Sequence, residues 1–449
     1  MDMSTPSALT HETRDDEAGA GLPSLGQILM NALLSDENIT DVTCATDQLV
    51  RVRRTANNWA VWQDANGQEV RVSQPMIVAL LNGVYEAEEQ PVLYELGPDM
   101  LPLRGPDKKF IRRLPAWYKG LNERKSLHPS ATWVDKGKDG SLRTLRVRLT
   151  VQKQDMGGAI GLMVRALRPV PEDLEKLGLP IQVGQLAAPA TSGLLVVTGP
   201  TGSGKSTTIA AILQKYNTAP NRAANVVTLE DPVEFIYEND RCFFNQREIG
   251  VDVQSFEQGV IDAMRFAIDI IVIGEIRTAE TMRAALRAAE SGHLVLATTH
   301  APSPVAAVRK MLAYLDNSSD AIALGNSLVG VVSQALLPDI NDPGKKHLVC
   351  EVMPGNLREV KDAIASGESR SLAQIEDFIR TTKESGALSF RAGLERLVRD
   401  GKISPMRAAQ VVPDAEDRKY FMSMSQATRG AAGAGRPPVA AAPVLGRRA

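Results

Sequence analysis

The sequence predicts an α/β protein in which a small α+β domain at the N-terminus is followed by a domain built on a parallel β-sheet. Three observations support this fold class. From Leu194 onwards, apolar runs of strand length alternate with helical segments. A glycine-rich loop that ends in Lys205 and Ser206 lies between the first of these runs and a helix. Earlier in the chain, Arg143–Gln152 alternates apolar and polar side chains, which is the pattern of a half-buried strand.

Length, composition and charge limit the possible classes of protein. The chain has 449 residues, of which 43% are apolar and 4% are aromatic; 51 basic and 53 acidic residues give a formal charge of -2. The length predicts two or three domains, and the apolar content excludes a wholly disordered chain. The near-zero charge offers no electrostatic argument for a nucleic-acid partner.

Neither a membrane-spanning segment nor a cysteine metal site is predicted. No apolar run approaches the roughly 18–20 residues that span a bilayer, and the acidic N-terminus lacks the features of a secretory signal. Cys44, Cys242 and Cys350 are far apart and form no Cys-x-x-Cys pair, so we expect no disulfide framework and no cysteine zinc site. The chain is expected to be soluble and cytosolic.

Composition divides the chain into five segments. Residues 1–24 are polar and residues 426–449 are rich in Ala, Gly, Pro and Arg, so both are expected to be disordered. Residues 25–168 predict a small α+β domain. Residues 169–180 begin with a proline-rich stretch that predicts a linker. Residues 181–425 predict the α/β domain with additional C-terminal helices.

Hydrophobic periodicity predicts the elements of the first domain. A helix begins at Leu25, where apolar residues recur at helical spacing, and a second helix covers Met76–Tyr85. Asn66 and Gly67 predict a hairpin turn. The predicted strands are Leu49–Val52, Trp59–Trp62, Val70–Val72, Arg143–Gln152 and Gly161–Leu167.

The second domain is predicted to contain a parallel sheet with helices on both faces. Its strand-length runs are almost wholly apolar, as is typical of parallel strands without a solvated face. These runs are Leu194–Thr198, Val226–Leu229, Ile270–Ile273 and Leu294–Ala297. Helical patterns cover Val305–Leu315, Asp320–Ala335, Leu357–Ser366, Ser371–Glu384, Ser389–Asp400 and Ser404–Ala409.

The glycine-rich loop matches the phosphate-binding pattern G-x-x-x-x-G-K-[ST] in full. Its residues are Gly199, Pro200, Thr201, Gly202, Ser203, Gly204, Lys205 and Ser206. Glycines let backbone N–H groups surround phosphate oxygens without a Cβ clash, and the helix N-terminus that follows adds partial positive charge. Lys205 is expected to reach the β and γ phosphates, and the Ser206 hydroxyl is expected to bind Mg²⁺. The sequence therefore predicts a nucleoside triphosphate site.

Polar residues also follow the three other predicted strands of this sheet. Glu230, Glu275 and His300 come at or just after the ends of these strands. Ligands bind beyond the carboxyl ends of parallel strands, so these side chains are expected at the edge that carries Lys205. Glu275 is the best candidate to orient or deprotonate the attacking water. Glu230 is a candidate to polarise water or hold the Mg²⁺ hydration shell, and His300 to hydrogen-bond the γ phosphate.

A histidine metal site is not expected. His293 and His300 are seven residues apart across an extended strand, and an odd separation places their side chains on opposite faces. No Asp, Glu or Cys lies between them to complete a zinc ligand set. Two roles remain open for His293: a structural hydrogen bond at the start of the strand, and a role linked to the nucleotide.

Four motifs in this order resemble the PilT/secretion ATPase family of hexameric motors, which drive type IV pili, type II secretion and type IV secretion or conjugation. The Walker A loop runs from Thr198 to Thr207. The residues from Val227 to Phe235 resemble the family's Asp box, and those from Ile270 to Arg277 its Walker B motif. The residues from Ser291 to His300 resemble its His box.

The resemblance implies a PAS-like N-terminal domain and a RecA-like ATPase domain. It also implies a homo-hexamer that binds ATP and Mg²⁺, with Thr207 in the nucleotide loop and Arg277 among the catalytic residues. Arg146 resembles a residue of the family's arginine strand, and Arg165 resembles another arginine of the nucleotide clamp. Such a motor is cytoplasmic and lies at the inner membrane through partner proteins of the secretion or pilus machinery, without a transmembrane segment and without a nucleic-acid partner.

Two machines of this family remain open. The N-terminal domain is longer than that of a minimal retraction motor, and the three cysteines cannot form the four-cysteine zinc insert of pilus-extension ATPases. The chain is therefore most similar to the DotB/TraJ-like ATPases of type IVB secretion and conjugation, with pilus retraction as the alternative. It departs from the family pattern in Gln334-Ala335-Leu336-Leu337-Pro338, where the arginine that usually precedes Leu-Leu-Pro is replaced. Outside the family, a nucleic-acid translocase and a small-molecule kinase are the competing classes.

Overall fold

The structure, a computed structural model, describes most of the chain and divides into two compact units. The described residues are 24–36, 39–54, 58–84, 121, 126–127, 129–136, 142–154, 159–171, 174, 176–342, 345–381 and 386–433. One unit lies within Met1–Pro169 and the other within Val170–Ala449. Disorder was predicted for residues 1–24 and 426–449. Of these segments, residues 1–23 and 434–449 lie outside the described residues.

The N-terminal unit is built on an antiparallel sheet. Its strands are β1 (Ile39–Ala45), β2 (Gln48–Leu49), β3 (Arg51–Arg54), β4 (Asn58–Val61), β5 (Arg71–Val72), β6 (Ser126–Leu127), β7 (Ser130–Lys136), β8 (Leu142–Gln154), β9 (Ala159–Ala166) and β10 (Arg168–Pro169). The main sheet has the order β4-β3-β1-β9-β8-β6, with β7 also paired to β8. The long strand β8 pairs with β9 from Val147 opposite Ala166 to Gln154 opposite Ala159.

Two helices, α1 (Leu25–Leu34) and α2 (Gln74–Val84), share a core with this sheet. Both helices and the strands β8 and β9 confirm the sequence predictions for these segments. The strand predicted at Leu49–Val52 is wrong in one respect, because the structure forms two strands there. β2 pairs with β5 in a separate two-stranded sheet, whereas β3 joins the main sheet between β1 and β4.

The C-terminal unit is built on a seven-stranded sheet that is parallel except at one edge. The seven strands of the sheet are β11 (Gly193–Thr198), β12 (Asn225–Glu230), β14 (Phe243–Glu248), β15 (Ile270–Ile273), β16 (Leu294–Thr299), β17 (Leu328–Pro338) and β18 (Lys346–Pro354), and the short strand β13 (Phe235–Ile236) lies outside it. The sheet order is β14-β12-β15-β16-β11-β17-β18, and only the β17–β18 pair of this path is antiparallel. The four strands predicted from apolar runs are therefore confirmed and lie at the centre of the sheet.

Helices cover both faces of this sheet, which is why its central strands β11, β15 and β16 are mostly apolar. Leu194 and Val196 of β11 belong to one core, and Leu195 and Val197 belong to the core on the opposite face. The helices are α3 (Ile181–Ala187), α4 (Lys205–Thr218), α5 (Phe256–Ala263), α6 (Ala279–Glu290), α7 (Pro304–Leu312), α8 (Ser318–Ser327), α9 (Arg358–Ser366), α10 (Ser369–Thr381), α11 (Phe390–Arg399), α12 (Pro405–Val411) and α13 (Ala415–Gly433). Among the described residues, none of the helices combines the length and apolar composition that a bilayer crossing requires.

Two sequence predictions for this unit are wrong. Asp320–Ala335 was expected to be one helix, but α8 ends at Ser327 and β17 begins at Leu328. The β-branched run after Leu328 favours a strand, and pairing with β11 on one side and β18 on the other outweighs the helical spacing. The disorder expected from residue 426 is also wrong for residues 426–433, because α13 continues to Gly433 through an alanine-containing stretch that favours helix.

Candidate functional site

The phosphate loop connects β11 to α4 at the carboxyl edge of the parallel sheet. Three of its glycines have positive φ: 140° at Gly199, 77° at Gly202 and 88° at Gly204. A Cβ at Gly199 would lie 2.3 Å from the carbonyl oxygen of Gln334, so a side chain at this position would collide with backbone. Glycine is thus required here both by backbone conformation and by space, and the loop has the curvature that lets N–H groups converge on an anion.

The ammonium group of Lys205 lies within the loop. Its Nζ donates to the carbonyl oxygens of Gly199 at 3.0 Å and of Pro200 at 3.1 Å. Burial lowers the pKa of Lys205, and the negative charges of Glu275 and Glu234 oppose that shift. A phosphate group offers such an ammonium stronger, charge-assisted hydrogen bonds than neutral carbonyls do.

Two serines of the loop are suited to a nucleotide and its cation. Within the part of the chain that the structure describes, the Oγ of Ser203 is buried and has no hydrogen-bond partner. A buried hydroxyl without a partner is costly, and a phosphate oxygen in the loop would satisfy it. Ser206 is half-buried in the first turn of α4, where its hydroxyl is a ligand of the type that Mg²⁺ accepts. These residues therefore fit a nucleotide accompanied by Mg²⁺.

Glu275 follows β15 and faces a group of cationic or protonatable side chains. Its Oε2 lies 2.8 Å from Nη2 of Arg277, and its Oε1 lies 3.4 Å from Nε2 of His300. Burial alone would raise the pKa of Glu275, but the hydrogen bond from Arg277 and the charges of His300, Arg277 and Lys205 outweigh it, so this pKa lies below its ordinary value. Glu275 is therefore an ionised carboxylate near neutral pH.

The backbone around Glu275 is anchored to the neighbouring strand. The Thr298 hydroxyl on β16 donates to the carbonyl oxygen of Gly274, and the Ile276 N–H donates to the carbonyl oxygen of Thr298 at 2.8 Å. These two contacts flank Glu275 in the chain. Arg277 pairs with a second carboxylate besides Glu275, since its Nη1 lies 3.8 Å from a carboxylate oxygen of Asp231.

His300 lies between the phosphate loop and Glu275. Its Nδ1 is 3.2 Å from the carbonyl oxygen of Gly199 and 3.5 Å from Nζ of Lys205. The next residue, Ala301, is held by Thr198 of β11, whose hydroxyl donates to its carbonyl at 3.0 Å and accepts from its N–H at 2.8 Å. The structure thus brings Lys205, Glu275 and His300 together, as expected from the strand ends.

Glu230 lies at the end of β12 in a hydrogen-bond network of its own. Its Oε1 accepts from the Thr228 hydroxyl at 2.7 Å and from Gln246 at 3.4 Å, and its Oε2 accepts from the Glu234 N–H at 3.2 Å. Burial raises its pKa, and these hydrogen bonds oppose the shift. Glu230 can therefore exchange a proton at a less acidic pH than an ordinary glutamate.

The histidine at the other end of β16 makes a local contact. His293 Nδ1 lies 3.1 Å from the carbonyl oxygen of Ala288 at the end of α6, so the structural role proposed for it has a partner. Among the described residues, no group of three His, Cys, Asp or Glu side chains is arranged to hold a metal ion.

The two arginines of the implied nucleotide clamp lie on neighbouring strands of the N-terminal unit. Arg146 on β8 has an exposed side chain. Arg165 on β9 is half-exposed, and its Nε donates to Oδ1 of the buried Asp41 at 2.6 Å. Arg53 also lies 3.7 Å from Asp41, so one buried carboxylate orients two guanidinium groups.

Sequence reasoning missed several polar residues that build the site. Thr198, Gln246 and Gln334 were not predicted to form hydrogen bonds within the site, although each makes hydrogen bonds to a site residue or its neighbour. The available signal was a polar residue at the end of, or inside, an otherwise apolar strand. This signal could have identified Thr198, which ends a strand that the sequence predicts. It could not have identified Gln334, because the segment around Gln334 was predicted to be a helix.

The sequence and the fold of this chain are similar to those of known proteins. The sequence model of the family described as "Type II/IV secretion system protein" matches residues 151–395, more than half of the chain. The type IV pilus retraction ATPase PilT of Pseudomonas aeruginosa is 34% identical over 268 residues, which cover 59% of this chain and 75% of that protein.

Two solved structures share the fold. A crystal structure of the pilus retraction motor PilT with bound ADP has a TM-score of 0.68 and 25% identity, covering 89% of this chain and all of that one. The ATPase DotB of Legionella pneumophila has a TM-score of 0.65 and 21% identity, covering 91% of this chain and 98% of that one. The predicted fold class, an α/β chain with a RecA-like phosphate-loop domain and an N-terminal α+β domain, is confirmed.

Proposed function

Because the chain belongs to the type II/IV secretion system protein family, we propose that it is an ATPase that hydrolyses ATP to ADP and phosphate at the loop between β11 and α4. The observation that carries this proposal is the convergence of Lys205, Glu275 and His300 at a phosphate loop. The PilT relative is itself described as an ATPase, and a PilT structure contains ADP.

Binding is assigned to the loop residues. The backbone N–H groups from Gly199 to Thr207 surround the phosphates, the Ser203 hydroxyl gains the partner it lacks, and Lys205 exchanges its two carbonyl contacts for phosphate oxygens. Ser206 would hold Mg²⁺, which neutralises phosphate charge when bound. Pro200, Thr201, Gly202 and Gly204 complete the loop.

Hydrolysis is assigned to the strand-end residues. Glu275, held ionised by Arg277 and Lys205, accepts a hydrogen bond from water and orients its oxygen toward the γ phosphorus. The water oxygen bonds to the γ phosphorus as the P–O bond to the β phosphate breaks, one water proton moves to Glu275, and ADP and phosphate leave. His300 contacts the γ phosphate, and Glu230, with its raised pKa, orders further water or the hydration shell of Mg²⁺.

We propose that the ATPase works as a homo-hexamer. Its functional domains would be residues 25–168 and 181–425, joined by residues 169–180; the boundary between the two compact units at Pro169 and Val170 supports this. Arg146 and Arg165 would add positive charge to the nucleotide site of the assembled ring. The ring would act in the cytoplasm at the inner membrane, docked on proteins of the machinery that it drives.

The machine that we propose is a type IVB-like secretion or conjugative transfer system. The long N-terminal domain and the absence of four cysteines for a zinc insert support this choice. Pilus retraction is the second candidate, and the 34% identity to PilT over three quarters of that protein favours it. Deleting the gene in its own organism separates the two, since one predicts loss of substrate transfer and the other loss of pilus retraction.

ATPase activity and ring assembly test the coarser proposal directly. We expect the purified chain to release phosphate from ATP in the presence of Mg²⁺ and to sediment as a hexamer when nucleotide is present. Lys205→Ala should lose binding and hydrolysis together. A wild-type chain that neither binds nor hydrolyses ATP would contradict the proposal.

A further inference from the structure

Gln334 is a buried polar side chain inside an apolar strand. It lies on β17, next to β11, the strand that leads into the phosphate loop, and only 1% of the residue is exposed. A buried amide is costly unless both its donor and its acceptor are satisfied. The partners of this amide are therefore informative about its role.

Both ends of the Gln334 amide contact the phosphate loop and its helix. Its Nε2 donates to the carbonyl oxygen of Ser203 at 2.7 Å, and its Oε1 accepts from the Thr208 hydroxyl at 2.9 Å. The Ser203 carbonyl can only accept, so the donating nitrogen must face it, and the orientation of the amide is determined. One side chain thus joins the last residues of the loop to the first turn of α4.

The backbone of Gln334 also defines the start of the loop. Its carbonyl oxygen packs directly against Gly199, since a Cβ at that glycine would lie only 2.3 Å from this oxygen. A Cβ at Gly204 would lie 3.3 Å from its Nε2. Gln334 therefore contacts the loop near its first glycine, at Ser203 and at the base of the helix that follows.

These contacts restrain the phosphate loop, whose glycines give its backbone great conformational freedom. Glycines lose more conformational entropy on ordering than other residues, and the loop contains three with positive φ. A ligand that must order the loop binds more weakly than one that meets it already ordered. A side chain that holds the loop before the ligand arrives therefore increases affinity without touching the ligand.

We propose that Gln334 is a positioning residue that holds the phosphate loop in its nucleotide-binding curvature through Ser203 and Thr208. The inference rests on the proposed function and extends it, because it assigns part of the nucleotide affinity to a neighbouring strand rather than to the loop itself. Gln334 acts through Ser203 and Thr208 and carries out no chemical step.

The test compares direct nucleotide binding by calorimetry, using ADP and ATP with Mg²⁺, in the wild type and in Gln334→Met. Methionine keeps the length of the side chain but provides neither hydrogen bond. We expect the Kd for both nucleotides to rise about tenfold, from the loss of a buried donor and acceptor. KM should rise in parallel, while kcat at saturating ATP changes less than twofold, because the bound loop is ordered by the nucleotide.

Two control variants separate positioning from general stability. Leu337→Ala truncates a buried side chain of the same strand and should lower Tm without changing Kd. Gln214→Met makes the same chemical change near the other end of α4 and should leave both unchanged. A Gln334→Met protein that binds nucleotide like the wild type would overturn the inference. Equal losses of affinity in Gln334→Met and Leu337→Ala would also overturn it.

A milder variant keeps the test decisive if Gln334→Met does not fold. Thr208→Val is isosteric and removes only one of the two hydrogen bonds, so we expect a threefold to fivefold rise in Kd, about half of the tenfold effect on a free-energy scale. Amide hydrogen exchange of residues 199–206 without nucleotide should also be faster in this variant than in wild type. An unchanged Kd with unchanged exchange would overturn the proposal. A wild type that binds no nucleotide would instead overturn the proposed function, and this inference with it.

Discussion

The Nη2 atom of Arg277 lies 2.8 Å from Oε2 of Glu275, two residues earlier in the chain. This contact is the largest of the effects that hold the pKa of Glu275 below its ordinary value against the opposing effect of burial. The carboxylate that we assign to water orientation is therefore kept ionised by a neighbour that is itself more than half exposed.

Replacing Arg277 should move the acid limb of the pH profile. Without Arg277, burial is less opposed, so the pKa of Glu275 rises and a larger fraction of the carboxyl is protonated at a given acidic pH. We expect the acid limb of kcat/KM in Arg277→Ala to shift to higher pH than in the wild type. Arg283→Ala removes a surface ion pair with Asp316 and serves as the matched control. An unshifted acid limb in Arg277→Ala would show that Arg277 does not tune this carboxyl.

Thr198 should affect catalysis through the position of His300. Its buried hydroxyl makes two hydrogen bonds to Ala301, so Thr198→Val keeps the shape of the side chain and leaves two backbone groups without partners. We expect kcat to fall about tenfold and stability to fall by about 1–3 kcal/mol.

A second threonine variant separates the two effects of Thr198→Val. Thr281→Val removes a hydroxyl contact with Thr278 at the start of α6, outside the site. It should lower Tm while leaving kcat unchanged. If Thr198→Val and Thr281→Val retained equal kcat values, Thr198 would have only a structural role.

Glu351 should make the stability of the C-terminal unit depend on pH. Burial raises the pKa of this β18 residue to about 8, and it lines a cleft with three further carboxylates, those of Glu376, Asp414 and Asp417. An acid whose pKa is raised on folding binds more protons in the native state, so the wild type should lose stability as the pH rises from about 4.5 to about 8.

The corresponding variant is Glu351→Gln. It should be more stable than the wild type at about pH 8, with the difference shrinking toward about pH 5, as measured by urea unfolding across this range. Glu359→Gln, on the exposed side of α9, is the control and should follow the wild type. A wild type that is more stable than Glu351→Gln at about pH 8 would contradict the raised pKa of Glu351.

The strands that carry the site were predictable because their signals are local. Parallel strands buried on both faces leave apolar runs, and the loop pattern at Gly199–Ser206 can be read directly from the sequence. Since carboxyl ends of parallel strands share one edge, the proximity of Glu275 and His300 to Lys205 also followed from the order of the strands.

The contacts that complete the site were not predictable, because they join distant parts of the chain. Gln334 reaches Ser203 across 131 residues, and the segment around it has apolar spacing compatible with both helix and strand. Only pairing of β17 with β11 selects the strand and brings the amide under the loop. Similarly, nothing in the sequence near Glu230 indicates that Thr228 and Gln246 enclose its carboxylate.

The most direct test of the account is the separation of ATP binding from ATP hydrolysis in Glu275→Gln. Glutamine keeps the shape of the side chain but carries no charge and cannot take the proton from water. We predict that this variant binds ATP with a Kd within about threefold of wild type while its rate of phosphate release falls at least about a hundredfold. A Glu275→Gln protein that hydrolyses ATP at the wild-type rate would contradict the central claim that this carboxylate orients the attacking water.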